Sequence, residues 1–250
     1  KLQLTSHPCR IEPYIYTVRL DNRPELEGAY NAWCHSRHMP DLLGAGFWGA
    51  TRYRSTEGEP KYLHLYEIPG PEIFQTPEYR SICRCEPPCD APACLNKADP
   101  DHPTGPQMNT YSLNGSRAVY EQLVTFNTSP VRTYSPGRDG DPVGSIKTRL
   151  IYTVRMDLDP ALEEEYIRWH RDTRFSEIMM LPGFVSGRLA RKIDSFERGG
   201  IEPEYMALFE LESVDAPAGL STMAQDAQSD RMRGAMHNIK RNVMERLWPE

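Results

Sequence analysis

Two stretches of alternating apolar and polar residues begin the two halves of the chain. Residues 15–21 read IYTVRLD and residues 151–157 read IYTVRMD. In the first stretch, Tyr16, Val18 and Leu20 share one face. Alternation rich in β-branched and aromatic residues is typical of a half-buried strand. The pattern therefore predicts one strand at each position, 136 residues apart.

A helix is predicted after each of these strands. Each begins with Asp–x–x–Pro, at Asp21 and Asp157, where Asp or its neighbour can cap a helix and Pro fits the first turn. Apolar residues then follow helical spacing until Gly or Pro–Gly interrupts it. These apolar residues are Leu26, Tyr30, Trp33, Leu42 and Leu43 in the first half, and Leu162, Tyr166, Trp169 and Ile178 in the second.

Two strands joined by a polar, glycine-bearing loop follow each helix. The pattern predicts one hairpin from residues 47–54 and 61–68, and another from 184–192 and 204–211. In the first half, a weaker helix from Pro71 and a strand at 118–126 complete the order β-α-β-β-α-β, which is ferredoxin-like. In the second half, residues 213–227 and 232–247 both have a helical pattern, so no final strand is predicted there.

The second half repeats the first beyond these strands. Pro24, Leu26, Glu27, Tyr30 and Trp33 all recur 136 positions later, and PKYLHLYEI at 60–68 matches PEYMALFEL at 203–211. A match of this extent indicates a tandem duplication. The predicted fold is α+β, with two tandem ferredoxin-like domains. Domain 1 spans residues 11–128 with a Cys- and Pro-rich insertion at about 83–114, a linker covers 129–146, and domain 2 spans 147–250.

Composition narrows the class of partner. The chain has 250 residues, 39% of them hydrophobic and 26% charged, with a formal net charge of −6. These values are typical of a soluble globular protein and disfavour a nucleic-acid partner. No apolar run is long enough to span a membrane, and no signal-peptide core is present. We therefore expect a cytoplasmic protein that binds a small-molecule substrate, with a homodimer as a further option.

Four of the six cysteines lie within CRCEPPCDAPAC, at Cys83, Cys85, Cys89 and Cys94. Their spacing matches neither paired CxxC zinc sites nor the common iron–sulfur patterns. A structural zinc site, disulfides that include Cys9, and free thiols all remain open. In each case the expected role is to stabilise the insertion rather than to catalyse.

The segment from Ala29 to Tyr53, AYNAWCHSRHMPDLLGAGFWGATRY, contains an aromatic residue, His–x–Pro and a Gly–Phe turn. This pattern resembles the dimeric α/β-barrel superfamily, and within it the EthD-like and related uncharacterised families. The resemblance implies that two ferredoxin-like sheets close into a barrel, here within one chain. The superfamily includes monooxygenases, isomerases, dehydratases, lyases and haem enzymes, so the fold alone does not name a reaction.

His38 is the first catalytic candidate, since its counterpart in the second half is Arg174. A neutral imidazole can accept or donate a proton near pH 7. The alternatives are an exposed histidine at a helix end, and a metal pair of His35 with His38 that lacks a clear third ligand.

His64 is the second candidate, because the second half has Ala207 in its place. Alternation groups His64 with Tyr62 and Tyr66. We predict that these three side chains line the barrel interior while the intervening leucines face the helices, with His64 and Tyr66 taking part in catalysis and Tyr62 binding substrate. The alternative is a hydrogen-bonded structural histidine.

Arg19 is predicted to bind an anionic or phenolate oxygen of the substrate. Arg155 repeats it in the second half, so a structural salt bridge is an equal alternative. Weaker candidates for substrate binding are Trp48, Arg52, Tyr53 and Glu121.

These residues favour a cofactor-independent lyase or isomerase that uses histidine acid/base chemistry on a small apolar compound, aromatic or polyketide-like. No cofactor is expected for catalysis. The alternatives are a cofactor-independent monooxygenase and a non-catalytic protein that binds an apolar ligand. Haem with a histidine axial ligand is a further rival, although no haem-binding motif accompanies His38 or His64. No nucleotide- or phosphate-binding motif and no nucleophile elbow is present.

Overall fold

Eight strands close into a barrel to which each half of the chain contributes four neighbouring strands. The computed structural model of the protein describes residues 13–83, 112–129, 144–195, 202–223 and 225–250. The strands are β1 (Tyr14–Asn22), β2 (Gly49–Glu57), β3 (Tyr62–Ile68), β4 (Ser112–Phe126), β5 (Leu150–Leu158), β6 (Phe184–Ser195), β7 (Tyr205–Leu211) and β8 (Met236–Trp248).

The described helices follow the same order in both halves. The α-helices are α1 (Glu27–Trp33), α2 (Met39–Gly44), α3 (Pro77–Cys83), α4 (Glu163–Trp169), α5 (Phe175–Met179) and α6 (Ala227–Gly234). A π-helical turn joins α1 to α2 at Cys34–His38, and another joins α4 to α5 at His170–Arg174. Short 3-10 helices lie at Pro24–Leu26, Pro71–Gln75 and Ala216–Thr222.

The strand order around the barrel is β1-β3-β2-β8-β5-β7-β6-β4. Within each half the order is that of a ferredoxin-like sheet, and the last strand of each half pairs with the second strand of the other, as β4 with β6 and β8 with β2. The predicted fold of two tandem ferredoxin-like domains forming an intrachain dimeric α/β barrel is confirmed.

The duplication extends to individual contacts. Strands β1 and β5 have the same order of buried and half-buried positions, and β3 and β7 are buried along their whole length. Asp21, predicted to start a helix, lies in β1 instead, and its carboxylate accepts the backbone N–H of Lys61 at 2.7 Å. Asp157 accepts the N–H of Glu204 at 2.7 Å in the same way. These aspartates thus tie strand ends together in both halves.

The last strand of the second half corrects the sequence prediction. Residues 232–247 were expected to form a helix, but β8 occupies Met236–Trp248 and pairs with β2 and β5. The expected helix at 213–227 is also wrong, since a 3-10 helix covers Ala216–Thr222 and α6 starts only at Ala227. Residues of β8 form a strand because they pair with strands from both halves. The local sequence does not show this pairing, so it could not distinguish a strand from a helix.

The end of the predicted linker takes part in the barrel. The Ser145 N–H and hydroxyl both donate to the Glu67 carboxylate, the N–H at 2.8 Å. Arg188 donates to the Ser145 carbonyl at 3.3 Å. The rest of the predicted linker, and residues 84–111 of the predicted insertion, lie outside the described residues.

Candidate functional site

The mostly buried layer between the first-half sheet and the helices α1 and α2, which we call the first-half cleft, gathers the histidines singled out in the sequence. His64, Tyr62 and Tyr66 pack on the helix side, whereas Leu63 and Leu65 fill the barrel interior. Alternation grouped these side chains correctly, but the predicted facing is wrong. Since β3 is buried on both faces, its hydrophobic pattern cannot show which face meets the helices.

Arg52 is the centre of this cleft. It lies opposite His64 in the pairing of β2 with β3 and is fully buried. Its Nε donates to His64 Nε2 at 3.0 Å, and its Nη1 lies 3.0 Å from His35 Nε2. The guanidinium carbon lies 4.3 Å from the ring centroid of Tyr62 and 5.3 Å from that of Tyr30. Arg52 therefore joins two histidines and two aromatic rings.

The tautomers of both histidines follow from these contacts. A guanidinium group only donates hydrogen bonds, so Nε2 of His35 and of His64 must accept, and each neutral ring carries its proton on Nδ1. His64 Nδ1 lies 3.3 Å from the Tyr66 hydroxyl oxygen, and that hydroxyl donates to the Met39 sulfur at 3.4 Å. A continuous hydrogen-bonded chain thus runs from His35 through Arg52 and His64 to Tyr66.

Both histidines that contact Arg52 are neutral at pH 7. Burial, together with the Arg52 charge, lowers the pKa of His35 to about 4. Burial and then Arg52 also lower the pKa of His64 well below its usual value. Burial raises the pKa of the neighbouring Cys34 thiol to about 12. None of these three side chains offsets the Arg52 charge.

The other buried arginines differ from Arg52 in having a carboxylate partner. Arg155 lies 2.7 Å from Glu202, which Arg19 also approaches at 3.8 Å, and Arg188 lies 3.1 Å from Glu210.

Within the described ranges Arg52 has no such partner, and its Nη2 atom, though buried, has no hydrogen-bond partner. Glu27 is the carboxylate whose pKa Arg52 helps to lower, after Lys61 and the Tyr62 hydroxyl, but it is bonded to Lys61 at 2.8 Å and to the Tyr62 hydroxyl at 2.5 Å rather than to Arg52. A buried cation with no directly bonded carboxylate favours binding of an anion.

His38 borders the same cleft. Its ring stacks on Trp33, with ring centroids 4.6 Å apart and planes at 14°. The side chain is half-buried, and it contributes, after burial and Arg52, to the lowered pKa of His64. The structure thus brings His38 together with His64, and its catalytic role stays a prediction.

Three predicted substrate-binding residues lie away from the cleft. Arg19 is fully buried inside the barrel, where its Nη2 donates to the Met206 sulfur at 3.8 Å. Tyr53 also points into the barrel core. Glu121 is half-buried at the barrel surface and lies 3.8 Å from Arg191.

The location of Arg19, 3.8 Å from Glu202, agrees with the alternative of a structural salt bridge. Trp48 is half-buried directly before β2, and its backbone N–H donates to the Glu67 carbonyl at 2.8 Å.

Sequence reasoning missed a second cation of the cleft, Arg117 on β4. Ala118 and Tyr120 point into the barrel, so alternation places Arg117 and Val119 on the helix side. Tyr16 has the largest influence on the Arg117 guanidinium, and with Tyr79, Tyr30 and Tyr66 it raises the pKa of Arg117. Alternation in the sequence groups Arg117 with Val119, but which face of β4 meets the helices follows only from the closure of the barrel.

The described part of the chain contains only some of the residues of the predicted metal sites. No group of three His, Cys, Asp or Glu side chains there could hold a metal ion, so the pair of His35 and His38 gains no third ligand. Cys85, Cys89 and Cys94 lie outside the described residues, as does the side chain of Cys83, and the zinc and disulfide predictions stay untested. Among the described helices none has the length and apolar character needed to cross a membrane.

The described residues form a closed α/β barrel with a polar helix–sheet cleft in its first half. Neither protein-family models nor curated protein sequences give a match. Among solved structures, the chain is similar to an anthrone oxidase-like protein, with a TM-score of 0.58 and 13% identity over 95% of this chain and 92% of that one.

It is also similar to a structure described as a monooxygenase from Fusobacterium nucleatum, with a TM-score of 0.52 and 11% identity over 94% of this chain and 93% of that one. A third, described as a monooxygenase from Lactobacillus acidophilus, has a TM-score of 0.51 and 8% identity over 94% of each chain. At these identities the likeness shows the fold.

These comparisons correct the predicted reaction class. The solved structures that share the fold over nearly the whole chain have the names of monooxygenases and of an oxidase-like protein, rather than those of lyases or isomerases. The prediction of a lyase or isomerase is therefore wrong, and the monooxygenase alternative agrees better with the findings.

Proposed function

We propose that this protein is a cofactor-independent monooxygenase that oxidises a small aromatic compound through its phenolate or enolate anion. The observation that carries the proposal is Arg52, a fully buried guanidinium whose hydrogen-bonding partners are two neutral histidines. Such a group binds and stabilises an anionic oxygen. The names of the structurally similar proteins, an anthrone oxidase-like protein and two monooxygenases, support this reaction class.

The proposed reaction needs no external reductant. A CH₂ group activated by flanking aromatic rings and a carbonyl, as in an anthrone, loses a proton to give an electron-rich anion. This anion transfers electrons to O₂ and forms a carbon–oxygen bond. Overall the CH₂ group and one O₂ give a carbonyl and one water molecule, so the substrate supplies all four electrons. We accordingly place no cofactor in the cycle.

Each cleft residue has a role in this proposal. Arg52 holds the anionic oxygen through Nη2, and this contact strengthens as negative charge develops. His38 accepts the proton from the substrate. His64 and Tyr66 keep the guanidinium oriented, and the rings of Tyr30 and Trp33 pack against the aromatic substrate.

We also propose that the protein is related to the EthD-like families. This relationship depends on the run Trp33–x₄–His38–x–Pro40, which the π-helical turn and α2 carry into the cleft. The second half has the same turn without its histidine at that position.

The test measures O₂ uptake and product together, with anthrone as the substrate. We expect one O₂ consumed per anthrone oxidised, with label from ¹⁸O₂ in the new carbonyl. His38→Ala should lower turnover by about 10²-fold or more, while His237→Ala, at an exposed second-half histidine, should leave it unchanged. Product without O₂ uptake contradicts the proposal, and anthrone binding without turnover indicates a non-catalytic binding protein.

A further inference from the structure

Arg52 and Arg117 lie at the two ends of one row that crosses the first-half sheet. Arg52 is opposite His64, His64 is opposite Val18, and Val18 is opposite Arg117. Three strand spacings therefore separate the two arginines, or about 14 Å between Cα atoms. Side chains stand roughly perpendicular to a sheet, so the two guanidinium groups remain apart along the row.

Both ends of this row carry a positive charge without a carboxylate. In the described segments, no acidic side chain pairs with Arg117, and the groups acting on its charge are tyrosines. Arg117 and Val18 are only half-buried, so this end of the row is open to a ligand. The Tyr30 ring, from α1, has its centroid 5.3 Å from the Arg52 guanidinium carbon, and the rise in its pKa that burial causes is opposed by both Arg52 and Arg117.

We infer that the substrate is a fused-ring aromatic compound with acidic oxygen groups at both ends, and that Arg117 binds the end far from Arg52. This inference rests on the proposed function for the Arg52 end and adds a specificity determinant to it. The distance along the row exceeds the span of one benzene ring and suits two or three fused rings. The centroid of the Tyr30 ring already lies 6.0 Å from that of the His64 ring, so the rings of the ligand would run beside Tyr30 and along Val18, which is half-buried.

The second half contains the equivalent row of residues. Comparing the two rows shows which features both halves share and which occur only in the first half. Leu189 is opposite Ala207, Ala207 is opposite Val154, and Val154 is opposite Arg241. This row keeps its distal arginine, which acts on Tyr152 as Arg117 acts on Tyr16. It lacks a cation at the Leu189 end. The contact between arginine and tyrosine is thus shared scaffold, and the row with two cations belongs to the first half.

The experiment compares two ligands that do not react with O₂, anthraquinone and anthraquinone-2-carboxylate, by quenching of tryptophan fluorescence. We expect the carboxylate to bind the wild-type protein about 10-fold or more tightly, the range of one charge-assisted hydrogen bond. Arg117→Gln should remove this preference without changing anthraquinone affinity. Arg117→Lys should keep part of the preference, and the matched Arg241→Gln should keep all of it.

Several outcomes overturn the inference: equal binding of the two ligands to the wild-type protein, binding of neither, or a preference that persists in Arg117→Gln. A loss of affinity for both ligands in Arg117→Gln and in Arg117→Lys indicates a structural role and also overturns it. Because binding is measured without turnover, failure of the proposed function is seen separately, as absent O₂ uptake with anthrone in a protein that still prefers the carboxylate.

Discussion

The two helix–sheet clefts occupy equivalent positions on a duplicated scaffold and contain opposite kinds of side chain. The first-half cleft holds a buried cation, histidines and a tyrosine, whereas in the second half apolar side chains replace Arg52, His64 and Tyr66, and Arg174 replaces His38. The matched pairs are Arg52 with Leu189, His64 with Ala207, Tyr66 with Phe209, Met39 with Phe175, and His38 with Arg174.

Tight packing closes the second cleft. Phe175 and Phe209 meet edge to face, with centroids 5.7 Å apart at 90°. A Cβ atom at Gly187 would lie 3.2 Å from the Phe209 ring, so glycine leaves room for both rings. His170 is also structural, since its Nδ1 lies 3.1 Å from the Tyr166 carbonyl and its ring packs against Phe175.

The comparison of the two clefts indicates that the buried cation is a feature of the site and is not needed for folding. The second half folds around an apolar cleft, so the fold does not require a cation there. A buried charge without a counter-ion is costly, and the first half nevertheless keeps Arg52. Residues that reduce stability in this way are expected where they serve function.

Arg52→Leu should have the largest effect, because it places in the first cleft the leucine that the second half has at the equivalent position, Leu189. Turnover of anthrone should fall by about 10³-fold, as when a preorganised oxyanion donor is lost. The free energy of unfolding in urea should stay the same or rise, since an unpaired buried charge is removed. Leu189→Met is the control and should leave turnover unchanged. An active Arg52→Leu enzyme would contradict the role of Arg52.

Glu202→Gln tests the opposite case, buried arginines that do have a counter-ion. Removal of this carboxylate leaves Arg19 and Arg155 unpaired inside the barrel, and the free energy of unfolding should fall by at least about 3 kcal/mol. Glu121→Gln, at a carboxylate whose side chain is 43% exposed, should change it by less than about 0.5 kcal/mol. Urea unfolding measures both, and a Glu202→Gln protein as stable as wild type would refute the distinction drawn between compensated and uncompensated arginines.

His170→Cys gives the second half the cysteine that the first half has at the equivalent position, Cys34. It tests how strongly the stability of the protein depends on acidic pH. Burial lowers the pKa of His170 from 6.5 to about 4, so between these pH values the unfolded chain binds more protons than the folded protein. Stability from this group is complete above pH 6.5 and declines as the pH falls, by about 2–3 kcal/mol at pH 4. The variant should show a correspondingly flatter dependence of unfolding free energy on pH. An identical slope would exclude a neutral buried His170.

Phe209→Tyr gives the second cleft the tyrosine of the first and should have the smallest effect. Its hydroxyl would lie among phenylalanine rings without the partners that His64 and Met39 give Tyr66, at a cost of about 1–2 kcal/mol in unfolding free energy. Tyr66→Phe is the reciprocal change and should also destabilise, because His64 Nδ1–H loses its acceptor. If Phe209→Tyr were neutral, the second cleft would be less tightly packed than its ring contacts indicate.

Local periodicity and the internal repeat were sufficient to predict most of the fold. Strands β1 and β5, both hairpins and the helices before them carry their pattern within short segments, and the repeat doubled each signal. Strand β8 was missed because its support comes from β2 and β5, far away in sequence. Its exposed face carries charged and amide residues that fit a helix equally well.

The site was predictable only in part for a related reason. His64 and Tyr66 were grouped because they are two residues apart on one strand. The face of β3 that meets the helices depends on barrel closure, since both faces are buried. The position of Arg52 beside His64 requires the register of the hairpin, and that of Arg117 requires the order of four strands.

The central claim is that Arg52 makes the first cleft a site for an anionic aromatic oxygen. The most direct measurement is a pH titration of bound 2-hydroxyanthraquinone, whose absorption spectrum reports ionisation of its hydroxyl. In the wild-type protein the pKa of this hydroxyl should fall by about one to three units relative to the free dye, because a cation lies within contact distance. In Arg52→Leu it should not fall. A pKa that is unchanged or raised in the wild-type protein, or lowered equally in both proteins, would contradict the account.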